Sequence, residues 1–248
     1  MVQKTKGIVL RTVKYGETSV IVAVLTEMFG LQSYLVNGVR AGSSKGHSKI
    51  VFFQPGAILD LVVYHNEIKH LQRIREYQWG YLYKKNFFDV KHHAVSMFLV
   101  ELLQKCLKQP EVNPELFQFA EDSLIGVDES EGLVLANFPL YFSLHLAGLL
   151  GLRIDDNYSS ERRWLDLQEG FFSKEKPVHP YFLEEPYSAL AADLLKVMQP
   201  GELPQVPLNQ EKRRILLQGV MDFYNLHIPG FGILKSLPVL RAIIEEGS

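Results

Sequence analysis

Cysteine is almost absent from this 248-residue sequence, in which Cys106 is the only one. A single cysteine excludes an intramolecular disulfide and any zinc site built from several cysteines. The first residues also lack a charged segment followed by an apolar core, so no signal peptide is predicted. We therefore expect a protein of a reducing interior compartment, the cytoplasm.

The sequence also lacks the motifs of common catalytic sites. It contains no phosphate-binding loop, Rossmann glycine pattern, nucleophile elbow or metalloprotease helix. His92 and His93 are adjacent, and adjacent helical residues point about a hundred degrees apart, so they do not converge on one metal. We predict that the protein is not an enzyme and has neither a cofactor nor a metal site.

Net charge is low but unevenly distributed. The whole chain carries -2, whereas residues 1–80 contain ten Lys and Arg against five Asp and Glu, and residues 81–248 contain sixteen against twenty-three. A basic first part followed by an acidic remainder is typical of a local phosphate-binding face.

One apolar stretch, Leu133–Leu152, has about the length of a membrane span. Asn137, Pro139 and His145 interrupt it, and its near flanks are mainly acidic rather than basic. We interpret it as the central buried helix of an all-α domain, with His145 as a core residue, and we expect no membrane association.

The first eighty residues predict a small barrel. Short runs rich in β-branched residues are separated by glycine-containing turns, which is typical of strands. The predicted strands are Gly7–Val13, Ser19–Leu25, Leu31–Val36, Ala57–Tyr64 and Ile68–Tyr77. Small sheets avoid exposed edges by closing, and the five-stranded barrel that binds oligonucleotides is the OB-fold.

Beyond Trp79 the apolar residues recur at helical spacing. One stripe predicts a buried helix face: Val95, Phe98, Leu99, Leu102, Leu103 and Cys106. Asn113-Pro114-Glu115 and Asn209 are predicted to begin further helices, since Asn is a favoured cap. The fold class is therefore α+β, with an OB-fold domain at residues 1–79 and a helical domain at residues 80–248.

The order of several short motifs resembles the RecO family of bacterial recombination mediators. From Gly7 to Pro55 these are GIVL, YGE, the Thr26–Gly30 turn, GVR, a Ser-rich basic stretch and Gln-Pro. His227-Ile228-Pro229-Gly230 and the residues up to Leu240 resemble the closing segment of the same family. The resemblance covers most of the chain.

This resemblance implies a role in DNA repair and homologous recombination through the RecF pathway. RecO-like proteins bind single- and double-stranded DNA, anneal complementary strands and help to load RecA onto DNA coated with single-strand-binding protein (SSB). The implied partners are DNA, RecR, the SSB tail and, indirectly, RecA, in a bacterial, nucleoid-associated setting. An RNA-binding OB-fold module and an adaptor that binds only proteins remain alternatives.

The sequence departs from the family between about residues 153 and 183. Many RecO-like proteins carry a four-cysteine zinc site there, after a Leu-Leu-Gly sequence that matches Leu149-Leu150-Gly151, but this loop has no cysteine. We expect a small inserted β-like loop without zinc, since His179 alone cannot replace the missing ligands. The residues expected to hold it together are Trp164, Leu167, Phe171 and Phe172.

Basic residues of the predicted barrel are candidates for binding DNA phosphates. They are Arg11, Lys14, Arg40, Lys45 and Lys49, supported by Lys69, Arg73 and Arg75, which alternation would place on one face of the last strand. A merely solvated connection is the alternative for the polar loop between Ala41 and Lys49. Tyr64, Tyr77 and Trp79 are predicted either to stack on bases or, more commonly for aromatics, to fill the core.

A second basic cluster lies at the predicted helix start after Asn209. Lys212, Arg213 and Arg214 oppose the helix dipole there, at a cost of a few tenths of a kcal/mol each. RecO-like proteins bind the acidic, Phe-terminated SSB tail on their helical domain, so we hypothesise that these residues receive it. The alternative is a solvated charged face.

Overall fold

Five strands close into a barrel in the first eighty residues. The structure is a computed structural model and describes residues 2–40 and 49–245. The strands are β1 (Val2–Tyr15), β2 (Ser19–Thr26), β3 (Gly30–Val36), β4 (Ile58–Tyr64) and β5 (Leu71–Trp79). Their order around the barrel is β1-β2-β3-β5-β4, and only the β3–β5 pair is parallel. The predicted five-stranded barrel is confirmed.

Strand β1 is long enough to pair with two neighbours. Its first half, from Val2 to Ile8, pairs with β4, and its second half, up to Tyr15, pairs with β2. The register shifts between Val9 and Arg11, which is a β-bulge that bends the strand from one neighbour to the other. Bending of this kind allows a short sheet to close on itself.

Within the described residues, six α-helices follow the barrel. They are α1 (Val90–Cys106), α2 (Pro114–Glu129), α3 (Gly132–Leu149), α4 (Tyr187–Leu195), α5 (Gln210–His227) and α6 (Ser236–Glu245). Both predicted caps are confirmed: Asn113 accepts a hydrogen bond from the amide of Leu116 at 3.0 Å, and Asn209 accepts one from the amide of Lys212 at 2.9 Å. The mixed α+β fold class is confirmed as well.

The proline-rich connection before α5 forms a 3₁₀ helix at Pro200–Gln205. The carboxylate of Glu202 accepts hydrogen bonds from the amides of Met198 and Gln199, at 2.8 and 3.3 Å. These bonds close the turn without needing the amide hydrogens that proline lacks.

Helix α3 lies in the core of the helical part. Among the described residues it is the one helix long and apolar enough to cross a membrane, and 56% of that stretch is buried inside the protein. Phe138, Phe142 and Leu146 are fully buried. The ring of His145 donates a hydrogen bond to the carbonyl oxygen of Val197 at 2.8 Å, and burial lowers its pKa. The interpretation of a buried helix is confirmed, whereas His145 is half-buried and has its ring hydrogen-bonded to Val197.

The inserted loop forms a three-stranded sheet. Its strands are β6 (Trp164–Asp166), β7 (Phe171–Ser173) and β8 (Phe182–Leu183), in the order β7-β6-β8. Leu167 and Phe172 are buried as expected, whereas Phe171 is 38% exposed. Phe171 and Phe172 must face opposite sides because they are neighbours on one strand, and Leu165 and Leu183 fill the remaining space.

The chain divides into two compact units. The first comprises Met1–Lys84 and Val100–Ile125, and the second comprises Lys85–Leu99 and Gly126–Ser248. The boundary near residue 80 between an OB-fold domain and a helical domain remains a prediction.

Candidate functional site

Four strands of the barrel present a common outer face. Val20, Val22 and Val24 of β2 are at most 1% exposed and point into the barrel, so the alternate residues of that strand point outward. Cross-strand pairing then aligns outward side chains from strand to strand. We call the following set the outer face: Arg11, Val13, Tyr15, Ile21, Leu35, Leu71 and Arg73.

Two of the predicted DNA-binding residues lie on the outer face. One line of paired residues runs from Val13 through Ile21 and Leu35 to Arg73. Along this line, Arg73 of β5 lies three strand spacings from Val13 of β1, or roughly 14 Å measured along the curved sheet. Arg11 lies one outward position before Val13. Both arginines are exposed and, within the part of the chain that the structure describes, neither forms an ion pair.

Two further cations lie at the end of the barrel formed by the β1–β2 turn. The Arg40 guanidinium donates a hydrogen bond to the carbonyl oxygen of Gly16 at 3.0 Å, and the Arg40 amide donates one to Thr18. Lys14 pairs with Val20, whose side chain points into the barrel, so the Lys14 side chain is on the inward side of β1. It is nevertheless exposed, because β1 ends one residue later. Lys14 and Arg40 therefore border the outer face rather than belong to it.

Lys49 begins a short 3₁₀ helix, Lys49–Phe53, and is exposed. The end of this helix is fixed to β1, since the Thr12 hydroxyl donates a hydrogen bond to the carbonyl oxygen of Phe53 at 2.5 Å. Lys45 lies outside the described residues.

The expectation that three cations share one face of β5 is wrong. Lys69 precedes the strand, and its amide donates to the Asn66 carbonyl oxygen at 3.1 Å within the β4–β5 connection. Arg75 is the extra residue of a β-bulge, and its guanidinium lies 3.1 Å from the carboxylate of Glu76. A bulge reverses the alternation, so Arg73 alone of the three lies on the outer face.

The aromatic residues named from the sequence mostly have packing roles. Trp79 stacks on Phe52 with ring centres 4.7 Å apart, and Tyr77 meets the edges of Phe52 and Phe53. Tyr64 remains 48% exposed at the end of β4. The aromatic side chain of the outer face is Tyr15, which is 53% exposed and lies beyond the predicted strand Gly7–Val13.

Helices α3, α5 and α6 line a small, partly open apolar pocket. Three arginines stand at its wall: Arg213 and Arg214 from α5, and Arg241 from α6. We call it the arginine pocket. Its apolar lining consists of Ala136, Pro139, Leu140, Leu217, Leu240 and Ile244.

The three arginines of this pocket differ in their surroundings. Arg213 is only 8% exposed, donates to the carbonyl oxygen of Leu208 at 3.3 Å, and has its pKa lowered by burial. Arg214 is exposed. Arg241 donates to the Gln218 side chain at 2.9 Å, while its buried Nε atom has no hydrogen-bond partner among the described residues. Such an arrangement can hold an apolar side chain together with a carboxylate.

The structure divides the predicted cluster on α5. Arg213 and Arg214 line the arginine pocket, but the Lys212 ammonium donates to the carbonyl oxygen of Pro207 at 3.1 Å and does not line it. Arg241 was missed, because no helix was predicted after residue 230.

Within the described ranges, no group of three metal-binding side chains is assembled. In the inserted sheet, His179 lies 3.2 Å from the carboxylate of Asp166, and that carboxylate also accepts the amide hydrogens of Gln168 and Glu169. These bonds close the β6–β7 turn.

Comparison with known proteins gives consistent matches along the chain. A family model described as Recombination protein O N terminal matches residues 1–83, and one described as Recombination protein O C terminal matches residues 88–238. The DNA repair protein RecO of Phocaeicola vulgatus is 32% identical over 245 residues, covering 99% of this chain and 100% of that protein. Those of Bacteroides fragilis and Flavobacterium psychrophilum are each 31% identical, over 248 and 243 residues.

Proposed function

The chain belongs to the RecO family, and we propose that it acts as a mediator of DNA repair and homologous recombination. In this role it binds single- and double-stranded DNA, anneals complementary strands and, together with RecR, helps to load RecA onto DNA coated with SSB. The observation that carries the proposal is the family match over both parts of the chain.

The basic residues around the outer face support the DNA-binding part of this proposal. Arg11 and Arg73 are exposed on that face, and Lys14, Arg40 and Lys49 are placed near β1. Strands β1, β2 and β3 contain no Asp or Glu, and Glu76 of β5 is paired with Arg75. We include Lys45, Lys69 of the β4–β5 connection and Arg75 of β5 as further phosphate contacts.

The chemical role of these cations is to neutralise phosphates. Two complementary strands repel each other through their backbones, and cations that replace condensed counterions lower that repulsion. A protein that holds two strands close in this way promotes annealing without any bond-making step, so no catalytic residue is needed.

The arginine pocket supports the proposal that the protein binds the acidic, Phe-terminated tail of SSB. The apolar lining fits an aromatic side chain, and Arg213, Arg214 and Arg241 provide positive charge for a terminal carboxylate. The sequence analysis also included Lys212 in this site. Because its side chain does not line the pocket, we propose that it attracts the acidic tail only through long-range electrostatics.

Binding of a fluorescent oligothymidine across a salt series tests the DNA part. We expect affinity to fall steeply with salt, and the Arg11→Ala/Arg73→Ala double variant to bind more weakly with a salt slope lower by about two. Lys4→Ala is the matched control, because Lys4 is an exposed cation on the half of β1 that pairs with β4. Equal losses in the control and the double variant would contradict the placement. Tighter binding to a matched RNA would favour an RNA-binding module.

Titration of an acidic peptide ending in phenylalanine tests the arginine pocket. Arg214→Ala and Arg241→Ala should each weaken binding, whereas Lys212→Ala should change it little. Amidation of the peptide's terminal carboxylate should weaken binding to the native protein much more than binding to the arginine variants. An unchanged affinity in Arg214→Ala and Arg241→Ala would exclude this pocket as the tail site.

A further inference from the structure

Tyr15 occupies an unusual position on the outer face. It is the last residue of β1, its side chain is 53% exposed, and it is paired with Ser19, whose small side chain leaves the ring uncovered. In the described part of the chain, the ring makes no aromatic contact and the hydroxyl no hydrogen bond. Among the described residues, no aromatic ring or hydrogen-bonding group engages this large aromatic side chain.

The surroundings of Tyr15 are apolar rather than charged. Val13, two residues earlier on the same side of the strand, is 44% exposed, and Leu71 across the face is 39% exposed. Ile21 and Leu35 lie between them and are half-buried. The apolar part of the outer face thus extends about 7 Å along β1, from Val13 to Tyr15, and roughly 14 Å across the curved sheet, with arginines at two of its borders.

We infer that Tyr15 stacks on an unpaired base, and that the outer face receives single-stranded nucleic acid with the bases against the barrel and the phosphates toward Arg11 and Arg73. The inference rests on the proposed DNA-binding function and deepens it by naming a residue that contacts the bases. It adds a base contact to what was otherwise a purely phosphate-directed site.

The chemistry of the face favours a single strand over a duplex. In a duplex the bases are stacked on one another and the charged backbone faces outward, so a duplex would lay phosphates on Val13, Ile21 and Leu35. A single strand can turn its bases toward these side chains, where stacking on an aromatic ring is sequence-tolerant because every base has a π-face. Tyr15 therefore determines the preference for single strands.

The charges argue against a protein ligand of ordinary composition. Strands β1, β2 and β3 contain no carboxylate, Glu76 of β5 lies 3.1 Å from the Arg75 guanidinium, and the exposed Glu17 stands in the β1–β2 turn. The only charges on it are the two arginines. An apolar strip whose own two charges are both positive is complementary to a chain that has aromatic groups and a continuous negative backbone.

The decisive experiment compares three ligands of equal length: oligothymidine, an abasic oligonucleotide with the same phosphates, and a duplex. Binding is measured by fluorescence anisotropy at one salt concentration for the native protein, Tyr15→Ala and Tyr15→Phe. Tyr181→Ala is the matched control, since Tyr181 is similarly exposed, at 42%, beside the inserted sheet.

We expect Tyr15→Ala to weaken oligothymidine binding about ten-fold, in line with the loss of one stacked base. Abasic and duplex affinities should change by less than about two-fold, and Tyr15→Phe should bind like the native protein because it keeps the ring. The Tyr181→Ala variant should bind all three ligands normally.

Two results would overturn the inference. An equal loss for all three ligands would mean that Tyr15→Ala disturbs the barrel or the phosphate contacts rather than a base contact. An unchanged oligothymidine affinity would mean that the ring touches no base. In either case, salt-dependent binding that requires Arg11 and Arg73 would leave the proposed DNA-binding function intact. Failure of the Tyr15 inference can therefore be told apart from failure of the proposed function.

Discussion

The Nζ atom of Lys6 lies 2.8 Å from the Oε1 atom of Glu121, a residue 115 positions further along the chain. The Glu121 side chain is only 6% exposed, whereas that of Lys6 is 44% exposed. This ion pair joins β1 of the barrel to α2 within one compact unit. The barrel therefore has a helical support that its five strands do not provide.

Removing the lysine of this pair should destabilise the protein. Lys6→Met leaves a buried carboxylate without its cation, which we expect to cost about 1–3 kcal/mol in the free energy of unfolding. The hydrogen bond to Glu121 raises the pKa of Lys6, so its contribution is present at neutral pH and is lost only as pH rises through that raised pKa. Urea unfolding of Lys6→Met, Glu121→Gln and the double variant measures the coupling. Additive losses in the double variant would show that the pair does not interact.

Gly30 should tolerate no side chain. Its φ is +61°, and an added Cβ would lie 2.1 Å from the carbonyl oxygen of Glu111. Gly16 has the same φ of +61°, but a Cβ added there would have no neighbouring atom within 4 Å. Gly16→Ala is therefore a control that has the backbone strain without the steric clash. We expect thermal unfolding to show a loss of about 1 kcal/mol for Gly16→Ala and about 4 kcal/mol or more for Gly30→Ala. Similar losses would contradict the packing of the β2–β3 turn on Glu111.

Cys106 should be unreactive in the folded protein. Burial raises the pKa of its thiol from 9.0 to about 12, so little thiolate is present at pH 8. A thiol reagent should modify it quickly only after the protein is unfolded. Between pH 9 and 12 the unfolded state loses this proton while the folded state keeps it, so stability should fall as pH rises through that range. Cys106→Ala should show a smaller fall, and rapid labelling of the native protein would refute the expectation.

The inserted sheet should be stable without metal. Phe172 is 1% exposed and Phe171 is 38% exposed on the same strand, which makes them a matched pair. We expect Phe172→Ala to lower the free energy of unfolding by about 3–5 kcal/mol, and Phe171→Ala by less than about 1 kcal/mol. A strong chelator should leave the Tm of the native protein unchanged. A lower Tm in the chelator would point to a bound metal instead.

Much of the fold could be predicted because its signals are local. β-branched runs between glycine turns predicted the strands, and Asn113 and Asn209 predicted helix starts through a capping interaction that spans three residues. Helix α6 was missed because it is short and has Pro238 in its first turn, which the sequence pattern alone reads as a break. The bulge at Arg75 was missed since no glycine marks it.

The site was harder to predict because it depends on register. Arg11 and Arg73 share a face through the pairing of β1, β2, β3 and β5, and the parallel β3–β5 pair leaves no trace in the sequence. Tyr15 lies beyond the predicted strand Gly7–Val13, since Gly16 beside it is typical of a turn. The arginine pocket combines residues of α5 with Arg241 of α6, so no single stretch of sequence could reveal it.

The double pairing of β1 also sets an order of events on the ribosome. The segment from Val2 to Ile8 pairs with β4, and the barrel closes only when β5, which ends at Trp79, has been made. At typical rates of synthesis, roughly 3–13 s pass between the emergence of Tyr15 and that of Trp79. During this interval the β1–β2–β3 meander has two unpaired edges. The nascent chain is therefore most vulnerable to aggregation before its last barrel strand appears, and the pairing of Lys6 with Glu121 comes later still.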